Sequence, residues 1–319
     1  MSKKLYISRP LPDKVIAAAR KLGDVDVRQS TLPMTPGEIR AALDNYDGIL
    51  ASIGDPLGAE VFTKPVRCKM LANFGVGYNH IDTAAARAVG IQVTNTPGAV
   101  TDATADIAVM LILMSARGAS HAERVLRAGE WEGWHPTQFL GTHVTGKTLG
   151  IIGMGAIGKA TARRCHFGFG MDVVFYNRSQ VADPEVPGAR QLPTIKDVMK
   201  SADFISLHVP GGAETHHLIN AEMLAAMRPD AFLMNTARGN IVDEAALAEA
   251  LKDGTIAGAG LDVFENEPQI TPDLLELDNV TLLPHLGTAA LSVRTDMGLM
   301  AVDNLRAWVM GEPLPNPVN

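Results

Sequence analysis

Short apolar runs alternate along the chain with longer segments in which apolar residues recur every three to four positions. The runs are typical of buried strands, and the longer segments are typical of helices that cover a sheet. Strands separated by helices predict parallel βαβ units, because each parallel pair needs a crossover. In the first series we expect strands at Lys4–Ser8, Val25–Arg28, Gly48–Ala51, Met70–Phe74 and Ile91–Thr94, and helices at Pro12–Leu22, Pro36–Leu43 and Asp82–Val89.

A second series of the same kind begins near Gly146. We expect its strands at Thr148–Ile152, Met171–Tyr176, Ala231–Asn235, Gly258–Leu261 and Val280–Leu283. Between the two series, Thr101–Arg117 predicts a long apolar helix, whereas Ala119–Thr145 is rich in Gly, Pro and Trp and predicts a loop. The last segment, Thr295–Met310, predicts a helix that returns to the first series.

This alternation predicts an α/β protein with two Rossmann-like domains, each built on a parallel sheet. We expect residues 1–98 and 291–319 to form one discontinuous, flavodoxin-like domain. Residues 99–290 would form a second domain inserted into it, with a cleft between the two.

Composition narrows the class of protein. Hydrophobic residues make up 46% of the 319 positions and charged residues 20%, which favours a large core and argues against disorder. The net charge of −7 provides no general attraction for nucleic acid. The longest apolar run, Ile107–Met114, is too short for a membrane span, and Leu5–Ile7 is too short for a signal-peptide core. With only Cys68 and Cys165, a disulfide scaffold is not indicated, so we expect a cytoplasmic protein without nucleic-acid or membrane partners.

A glycine-rich sequence joins the strand Thr148–Ile152 to an expected helix, Ala156–Phe167. Its G-x-G-x-x-G spacing suits a tight turn, close approach of a pyrophosphate and close helix–strand packing. The unpaired N–H groups at the start of the helix attract phosphate. The inserted domain is therefore predicted to bind a dinucleotide, and the first domain to bind the substrate. The expected phosphate-binding residues are Gly153, Gly155, Ala156, Ile157 and Gly158.

The choice of cofactor depends on the end of the next strand, Met171–Tyr176. In NAD-binding proteins a carboxylate near this point accepts a hydrogen bond from the ribose 2′-OH. Here Asn177, Arg178 and Ser179 follow instead, and they would offer donors to a 2′-phosphate. We expect NADP to be preferred and NAD to be usable. The alternative is that Arg178 is only a solvated turn residue.

Further polar side chains follow the later strands of the second series. Arg238, Asp262 and His285 each come shortly after an expected strand. Ligands in open parallel sheets bind at the carboxyl ends of strands, where these side chains would meet. Alone, each residue has an ordinary structural explanation, as a surface arginine, a capping acid or a non-catalytic histidine. Together with the glycine loop, they predict a site for a nucleotide and an anionic substrate.

These segments resemble the D-isomer-specific 2-hydroxyacid dehydrogenase family. The resemblance rests on Phe74–Asp82, Gly153–Gly158, Asn235–Gly239, Gly260–Pro268 and Pro284–Thr288. It covers nearly the whole chain, and Trp131–Trp134 and His166–Met171 make it closest to the glyoxylate/hydroxypyruvate reductases and glycerate dehydrogenases. It implies NADPH-dependent reduction of small 2-keto acids, such as glyoxylate, hydroxypyruvate or 2-ketogluconate, to D-2-hydroxy acids.

The resemblance also implies residue roles. Arg238 would bind the substrate carboxylate and polarise the carbonyl, and the backbone N–H groups of Val76 and Gly77 would hold the same carboxylate. His285 would donate the proton, and Glu267 would orient His285. Asp262 would contact the nicotinamide end of the cofactor. The other implied cofactor contacts are Thr104, Val209, Pro210, Thr215, Thr236, Ala237 and Gly287.

Reduction of a 2-keto acid requires these residue types. A dinucleotide supplies the hydride, and the carbonyl oxygen takes a proton from a group that titrates near neutral pH, as histidine does. A neighbouring carboxylate stabilises the protonated imidazole. A planar guanidinium binds a carboxylate in a bidentate way that lysine does not match.

Three other classes of protein remain compatible with the glycine-rich loop. A formate- or phosphite-type dehydrogenase, a dinucleotide-sensing corepressor and a methyltransferase could each use a glycine loop of this kind. No metal site is expected, since His216 and His217 lack metal-ligand spacing with an acid.

A homodimer is expected from the resemblance, from the Trp131–Leu140 segment and from the apolar run Ile107–Met114.

Overall fold

The computed structural model describes residues 2–319, which divide into two compact units. One unit comprises the residues up to Val100 together with Ala289–Asn319. The other comprises Thr101–Thr288. The chain therefore leaves the first unit once and returns to it once.

Within the described residues, the first unit is built on a five-stranded parallel sheet. Its strands are β1 (Lys3–Ile7), β2 (Gly23–Val27), β3 (Gly48–Ser52), β4 (Met70–Phe74) and β5 (Gln92–Thr94). The order β2-β1-β3-β4-β5 is flavodoxin-like. The chain adds β2 on one side of β1 and then β3, β4 and β5 on the other side, so the switch point lies between β1 and β3. Every residue of the central β3 is buried, as in sheets covered on both faces.

Local capping signals set the starts of the helices in this unit. The first three are α1 (Asp13–Ala19), α2 (Pro36–Asn45) and α3 (Thr83–Ala88). At α2, the Thr35 hydroxyl accepts a hydrogen bond from the Glu38 N–H at 3.2 Å, and the Glu38 carboxylate accepts one from the Thr35 N–H at 2.8 Å. This capping box satisfies donors that the first helical turn leaves unpaired. The Asp82 carboxylate caps α3 by accepting from the Ala85 N–H at 2.8 Å.

The second unit contains, among residues 2–319, a seven-stranded parallel sheet in the order β12-β11-β10-β9-β6-β7-β8. Its strands are β6 (Thr148–Ile152), β7 (Asp172–Tyr176), β8 (Arg190–Gln191), β9 (Phe204–Leu207), β10 (Phe232–Asn235), β11 (Gly258–Leu261) and β12 (Val280–Leu282). The order reverses at β6, between β9 and β7. Ligands in doubly wound folds bind at this kind of switch point. The α/β class with two parallel sheets is thus confirmed.

Seven helices accompany this sheet within the described chain. They are α4 (Thr101–Ala116), α5 (Ala119–Ala128), α6 (Ala156–Phe169), α7 (Ile195–Ser201), α8 (Ala221–Ala225), α9 (Glu244–Lys252) and α10 (Pro272–Leu275). The long α4 packs against α6 and against the strands β10 and β11. Phe204 and Phe232 stack in the core with ring centroids 5.1 Å apart.

The expectation of a loop over Ala119–Thr145 is wrong for its first part, because α5 occupies Ala119–Ala128. This helix lies between Gly118 and Gly129, which both adopt left-handed backbone conformations. None of the α5 residues is buried in the described chain. Its apolar residues nevertheless share one face at helical spacing, but the Gly- and Trp-rich remainder of the segment masks that pattern.

Among residues 2–319, no single helix combines the length and the apolar character needed to cross a bilayer. The pair α4 and α5 meets those criteria only jointly, and the two helices are bent by 66° at their junction.

The chain returns to the first unit through α11 (Leu291–Met310), which packs against α1 and β4. It begins four residues before the predicted Thr295. At Gly298, a Cβ atom would lie 2.5 Å from a methyl carbon of Val15. The missing side chain thus permits the close approach of α11 to α1.

Candidate active site

The loops after β10, β11 and β12 bring three of the predicted residues together. The central contact joins His285 and Glu267, whose Nδ1 and Oε2 atoms are 2.9 Å apart. Both side chains remain about one-third exposed, at 32% and 37%, so the pair is accessible from solvent. With Nδ1 engaged by Glu267, the Nε2 atom of His285 is available to act on a ligand.

Glu267 is held from its other side as well. Its Oε1 atom accepts a hydrogen bond from the Phe264 N–H at 3.0 Å. Burial raises the pKa of Glu267, but the hydrogen bond and charge of His285, the Phe264 N–H and the charge of Arg238 outweigh it and lower the pKa below the ordinary value. Glu267 is therefore ionised at neutral pH and places a negative charge against the His285 ring.

The His285 loop is anchored to the end of β11 by Asp262. The Asp262 carbonyl accepts from the His285 N–H at 3.0 Å, and its carboxylate accepts from the N–H groups of Leu286 at 2.6 Å and Gly287 at 2.8 Å. His285 has a φ of 53°, in the left-handed region that a residue with a side chain rarely adopts. Burial raises the pKa of Asp262, although the two backbone hydrogen bonds act in the opposite direction.

Arg238 follows β10 in a turn fixed by Asn235. The Asn235 side chain accepts from the Ala237 N–H at 3.0 Å and donates to the Arg238 carbonyl at 2.8 Å. The guanidinium donates to the Ala237 carbonyl at 2.6 Å. Burial lowers the pKa of Arg238, while the charge of Glu267 raises it, and the group remains cationic at any physiological pH.

Two glycines that the sequence analysis did not single out shape the surroundings of Arg238. A Cβ at Gly239 would lie 1.8 Å from the carbonyl carbon of Phe264, so the Arg238 turn touches the backbone that leads to Glu267. A Cβ at Gly211 would lie 2.8 Å from Cγ of Arg238. These contacts join segments that are distant in sequence, so no local sequence pattern could predict them.

The glycine loop after β6 has the geometry that a pyrophosphate needs. Gly153 has a φ of 99°, and a Cβ there would lie 2.8 Å from the His208 carbonyl group. At Gly155 a Cβ would meet nothing within 4 Å, which leaves open space in front of α6. At Gly158 a Cβ would lie 2.3 Å from the Gly153 carbonyl oxygen, so the helix packs directly on the turn. Ala156 and Ile157 form the first turn of α6, beside this open space.

Of the residues after β7, Asn177 contacts the glycine loop, whereas Arg178 is exposed to solvent. The Asn177 side chain accepts from the Met154 N–H at 3.2 Å and donates to the Ser179 carbonyl at 3.0 Å, so Asn177 ties this turn to the glycine loop. Arg178 is outside and 90% exposed, and its guanidinium lies 3.4 Å from a carboxylate oxygen of Glu214. Glu214 is an acid that the sequence analysis did not connect with this turn.

The remaining predicted cofactor residues lie in the loops after β9, β10 and β12, apart from Thr104 near the start of α4. The Thr215 hydroxyl donates to the Pro210 carbonyl at 2.8 Å and closes the loop after β9. Val209 lies beside Gly153, since its Cγ1 is 3.0 Å from a Cβ placed on that glycine. The Thr104 hydroxyl donates to the Gly287 carbonyl at 3.3 Å. Thr236 and Ala237 belong to the turn between β10 and Arg238.

Val76 and Gly77 belong to the first unit, on the loop after β4. The Asn73 side chain donates to the Gly75 and Gly77 carbonyls at 2.9 and 3.1 Å, and the Asn95 side chain donates to the Val76 carbonyl at 2.8 Å. Within residues 2–319, no hydrogen bond uses the N–H of Val76 or of Gly77. The loop therefore holds its carbonyls inward and leaves two donors for a ligand.

The structure also brings together a group that the sequence analysis dismissed as a metal set. Potential ligand atoms of His216, His217 and Glu265 all lie within 4.8 Å of one another. Glu265 is 48 positions from His217 in the sequence, so spacing along the chain could not reveal the group.

Comparison with known proteins places these features in a family. The family described as D-isomer specific 2-hydroxyacid dehydrogenase, NAD binding domain, matches residues 109–287. A glyoxylate reductase of Thermococcus litoralis is 41% identical over all of this chain and 97% of its own length.

Solved structures similar to this chain over almost its whole length support the same comparison. A protein from Thermus thermophilus has a TM-score of 0.92 at 40% identity, covering 99% of this chain and 100% of that one. An NADPH-dependent glyoxylate/hydroxypyruvate reductase from Sinorhizobium meliloti, in complex with NADP and malonate, has a TM-score of 0.88 at 36% identity, covering 100% of this chain and 97% of that one.

The anchoring role of Asp262 predicts the behaviour of Asp262→Asn. An amide cannot accept both backbone hydrogen bonds, since its nitrogen would face a donor. Each bond to a charged acceptor contributes about 1.5–3 kcal/mol, so amide exchange at Leu286 and Gly287 should accelerate by roughly tenfold to hundredfold. Hydrogen-exchange mass spectrometry measures this. The control is Asp230→Asn in an exposed ion pair with Arg228. Equal exchange in both variants would remove the anchoring role.

Proposed function

The chain belongs to the D-isomer-specific 2-hydroxyacid dehydrogenase family, and we propose that it reduces small 2-keto acids to D-2-hydroxy acids with NADPH. The observation that carries this proposal is the His285–Glu267 pair beside Arg238, on the same sheet edge as the glycine loop. A proton donor, a carboxylate anchor and a phosphate-binding loop are the parts that this reaction needs.

His285 is the proton donor in this mechanism. The glycine loop Gly153–Gly158 would hold a dinucleotide, which would supply a hydride to C2 of the keto acid. Glu267 holds Nδ1, so Nε2–H of the imidazolium faces the developing alkoxide and transfers its proton to it. In the oxidative direction, neutral His285 takes the same proton back.

Arg238 anchors the substrate in the same proposal. Its guanidinium binds the carboxylate and draws electron density from the neighbouring carbonyl. Burial strengthens this attraction because fewer water molecules compete for the cation. We also propose that the N–H groups of Val76 and Gly77 bind a carboxylate, since no hydrogen bond within residues 2–319 uses them.

We infer glyoxylate and hydroxypyruvate as the first substrates to test, with 2-ketogluconate as a longer one. Relatives with the names glyoxylate reductase and glyoxylate/hydroxypyruvate reductase support the two small acids. The same names do not favour the corepressor alternative.

A panel of 2-keto acids tests the reaction. With NADPH, glyoxylate and hydroxypyruvate should be turned over with kcat/KM in the ordinary enzymatic range of roughly 10⁴ M⁻¹s⁻¹ or above, measured by loss of nicotinamide absorbance. The glycerate formed from hydroxypyruvate should be the D isomer by chiral chromatography, whereas the glycolate formed from glyoxylate has no stereocentre. Pyruvamide, which lacks the carboxylate, is the control and should react poorly. No turnover of any keto acid with either reduced cofactor would defeat the proposal.

Cofactor preference is the second part of the proposal. Arg178 is exposed in the turn after β7 and would meet the 2′-phosphate of NADPH, whereas no carboxylate from this turn is placed to accept from a 2′-OH. Glu214 competes for Arg178 and repels the same phosphate.

Opposite effects are therefore expected from Arg178→Ala and Glu214→Gln. The first should raise KM for NADPH, and the second should lower it by a few fold, since an exposed charge contributes about 1 kcal/mol or less. KM for NADH should change little in both. The measurement is initial rates at saturating keto acid. Equal changes with both cofactors, or a wild-type preference for NADH, would contradict the assignment.

The Glu267–His285 pair predicts a change in pH dependence. Glu267→Gln removes the charge that stabilises the imidazolium but keeps the shape of the side chain. The alkaline limb of kcat/KM for reduction should therefore move to lower pH, because His285 loses its proton earlier. Since the pKa of Glu267 is lowered, its charge persists down to acidic pH, and the wild-type profile should not show its loss near neutrality. An unmoved alkaline limb in a folded variant would show that Glu267 does not tune His285.

We also propose a homodimer. Large apolar side chains are exposed on α5 and on the segment after it; they include Leu126, Trp131, Trp134, Phe139 and Leu140. Exposed apolar side chains of this size mark interaction surfaces, and symmetric pairing is the commonest way to cover them.

Light scattering at micromolar concentration should give twice the 33.9 kDa of one chain. The double variant Trp134→Asp with Leu140→Asp should shift the mass towards one chain. The control Leu32→Asp places the same charge on an exposed leucine elsewhere. A wild-type mass of 33.9 kDa alone would contradict the dimer.

A further inference from the structure

Two histidines and a glutamate outside the proposed catalytic residues form a compact set of donor atoms. The imidazoles of His216 and His217 stack with centroids 4.0 Å apart and planes 28° from parallel. Nε2 of His217 lies 2.6 Å from Oε1 of Glu265. All three residues keep some exposure, and His216 is the most exposed of them.

We propose that His216, His217 and Glu265 bind a divalent late first-row transition-metal ion, for which Zn²⁺ is the representative. Two imidazole nitrogens with one carboxylate oxygen are an established zinc donor set, with water in the fourth position. Ions such as Mg²⁺ and Ca²⁺ prefer oxygen ligands in larger number, so this set discriminates against them.

The observed distances allow such an ion after small side-chain rotations. Zinc binds nitrogen and oxygen at about 2.0–2.2 Å, so ligand atoms around one ion lie roughly 3.3–3.5 Å apart. The 2.6 Å contact between His217 and Glu265 would open slightly. Donor atoms that are separated by as much as the 4.8 Å limit would need to approach each other by roughly 1.5 Å. Exposure of His216 leaves its ring free to make this movement.

The backbone around the set is fixed in place. The His217 N–H donates to the Asn240 carbonyl at 2.8 Å and holds His217 at a φ of 48° in the left-handed region. The Glu265 N–H donates to the buried carboxylate of Glu244 at 2.6 Å. Strained, anchored residues of this kind occur where the surrounding structure requires one side-chain position.

Asp243 lies near His217, beyond hydrogen-bond distance but close enough to approach the ring if the side chains rotate. Its Oδ2 lies 3.9 Å from Nδ1 of His217, on the opposite side of the ring from Glu265. Metal-binding imidazoles usually donate their second N–H to a carboxylate, which fixes the tautomer. Binding through Nε2 would leave Nδ1–H on the edge of the ring nearer to Asp243.

The hydrogen bond between His217 and Glu265 can exist without a metal, and it is the state that an ion would replace. The ion displaces the proton shared by this pair, so no electron transfer or further reactant is needed. The hydrogen bond by itself gives no role to His216. Loss of binding on changing His216 therefore distinguishes a metal site from a simple hydrogen-bonded pair.

Titration calorimetry of the chelator-treated full-length protein with ZnCl₂ tests the proposal. We expect one Zn²⁺ per chain, with the affinity reduced about tenfold or more in His216→Ala and in Glu265→Gln. The control, His143→Ala, removes an exposed histidine elsewhere and should bind as the wild type does. Co²⁺ should give the intense visible absorption of a four-coordinate site in the wild type and in the control. Thermal melts without metal check that each variant is folded.

The proposal is overturned if the wild type binds no stoichiometric Zn²⁺, or if His216→Ala binds within twofold of the wild type. Binding lost equally in His143→Ala would also overturn it, because the ion would then be held elsewhere. These readouts require no turnover of keto acids, so their outcome is independent of the proposed reductase activity.

Discussion

The contact between Glu267 and His285 is the interaction on which the proposed chemistry depends. One carboxylate oxygen is 2.9 Å from Nδ1 of His285, and the other is held by the Phe264 N–H at 3.0 Å. The ring is thereby held through Nδ1, which leaves Nε2 to act on a ligand. Arg238 lies near enough to influence the pKa of Glu267, so the cationic anchor and the acid–base pair form one electrostatic unit.

Close backbone approach keeps this unit together. Gly239 has no room for a side chain against Phe264, and Gly158 has none against the Gly153 carbonyl. One contact places the Arg238 turn against the loop of Glu267, and the other places α6 against the phosphate-binding turn. Asp262 then fixes the His285 loop through three hydrogen bonds. The site is thus positioned by close backbone contacts together with the buried carboxylate of Asp262.

Much of the fold could be predicted because its signals are local. The strands Thr148–Ile152 and Gly258–Leu261 were predicted with their observed bounds, since buried parallel strands are continuous apolar runs. The helix Ala119–Ala128 was missed because it is short and stands at the start of a segment rich in Gly, Pro and Trp, a composition that indicates a loop. The end of each strand also indicated where polar side chains would gather, because parallel strands share one edge.

Contacts between distant segments could not be predicted in this way. Glu214 beside Arg178, and Glu265 beside His217, depend on how separate loops pack, and neither pair is near in sequence. The pinned carbonyls around Val76 and Gly77 likewise depend on Asn73 and Asn95, one from the preceding strand and one from a later loop. Family resemblance named the main residues, whereas the structure supplied the partners that hold them.

The central claim is that Arg238 anchors the carboxylate of a 2-keto acid that His285 protonates. The most direct measurement is kcat/KM for glyoxylate reduction in Arg238→Lys, with Arg228→Lys at an exposed ion pair as the control. Lysine keeps the charge but not the planar fork, so the account predicts a loss on the order of 10²-fold in the first variant and little change in the second. Near-normal efficiency in a folded Arg238→Lys protein would contradict the account.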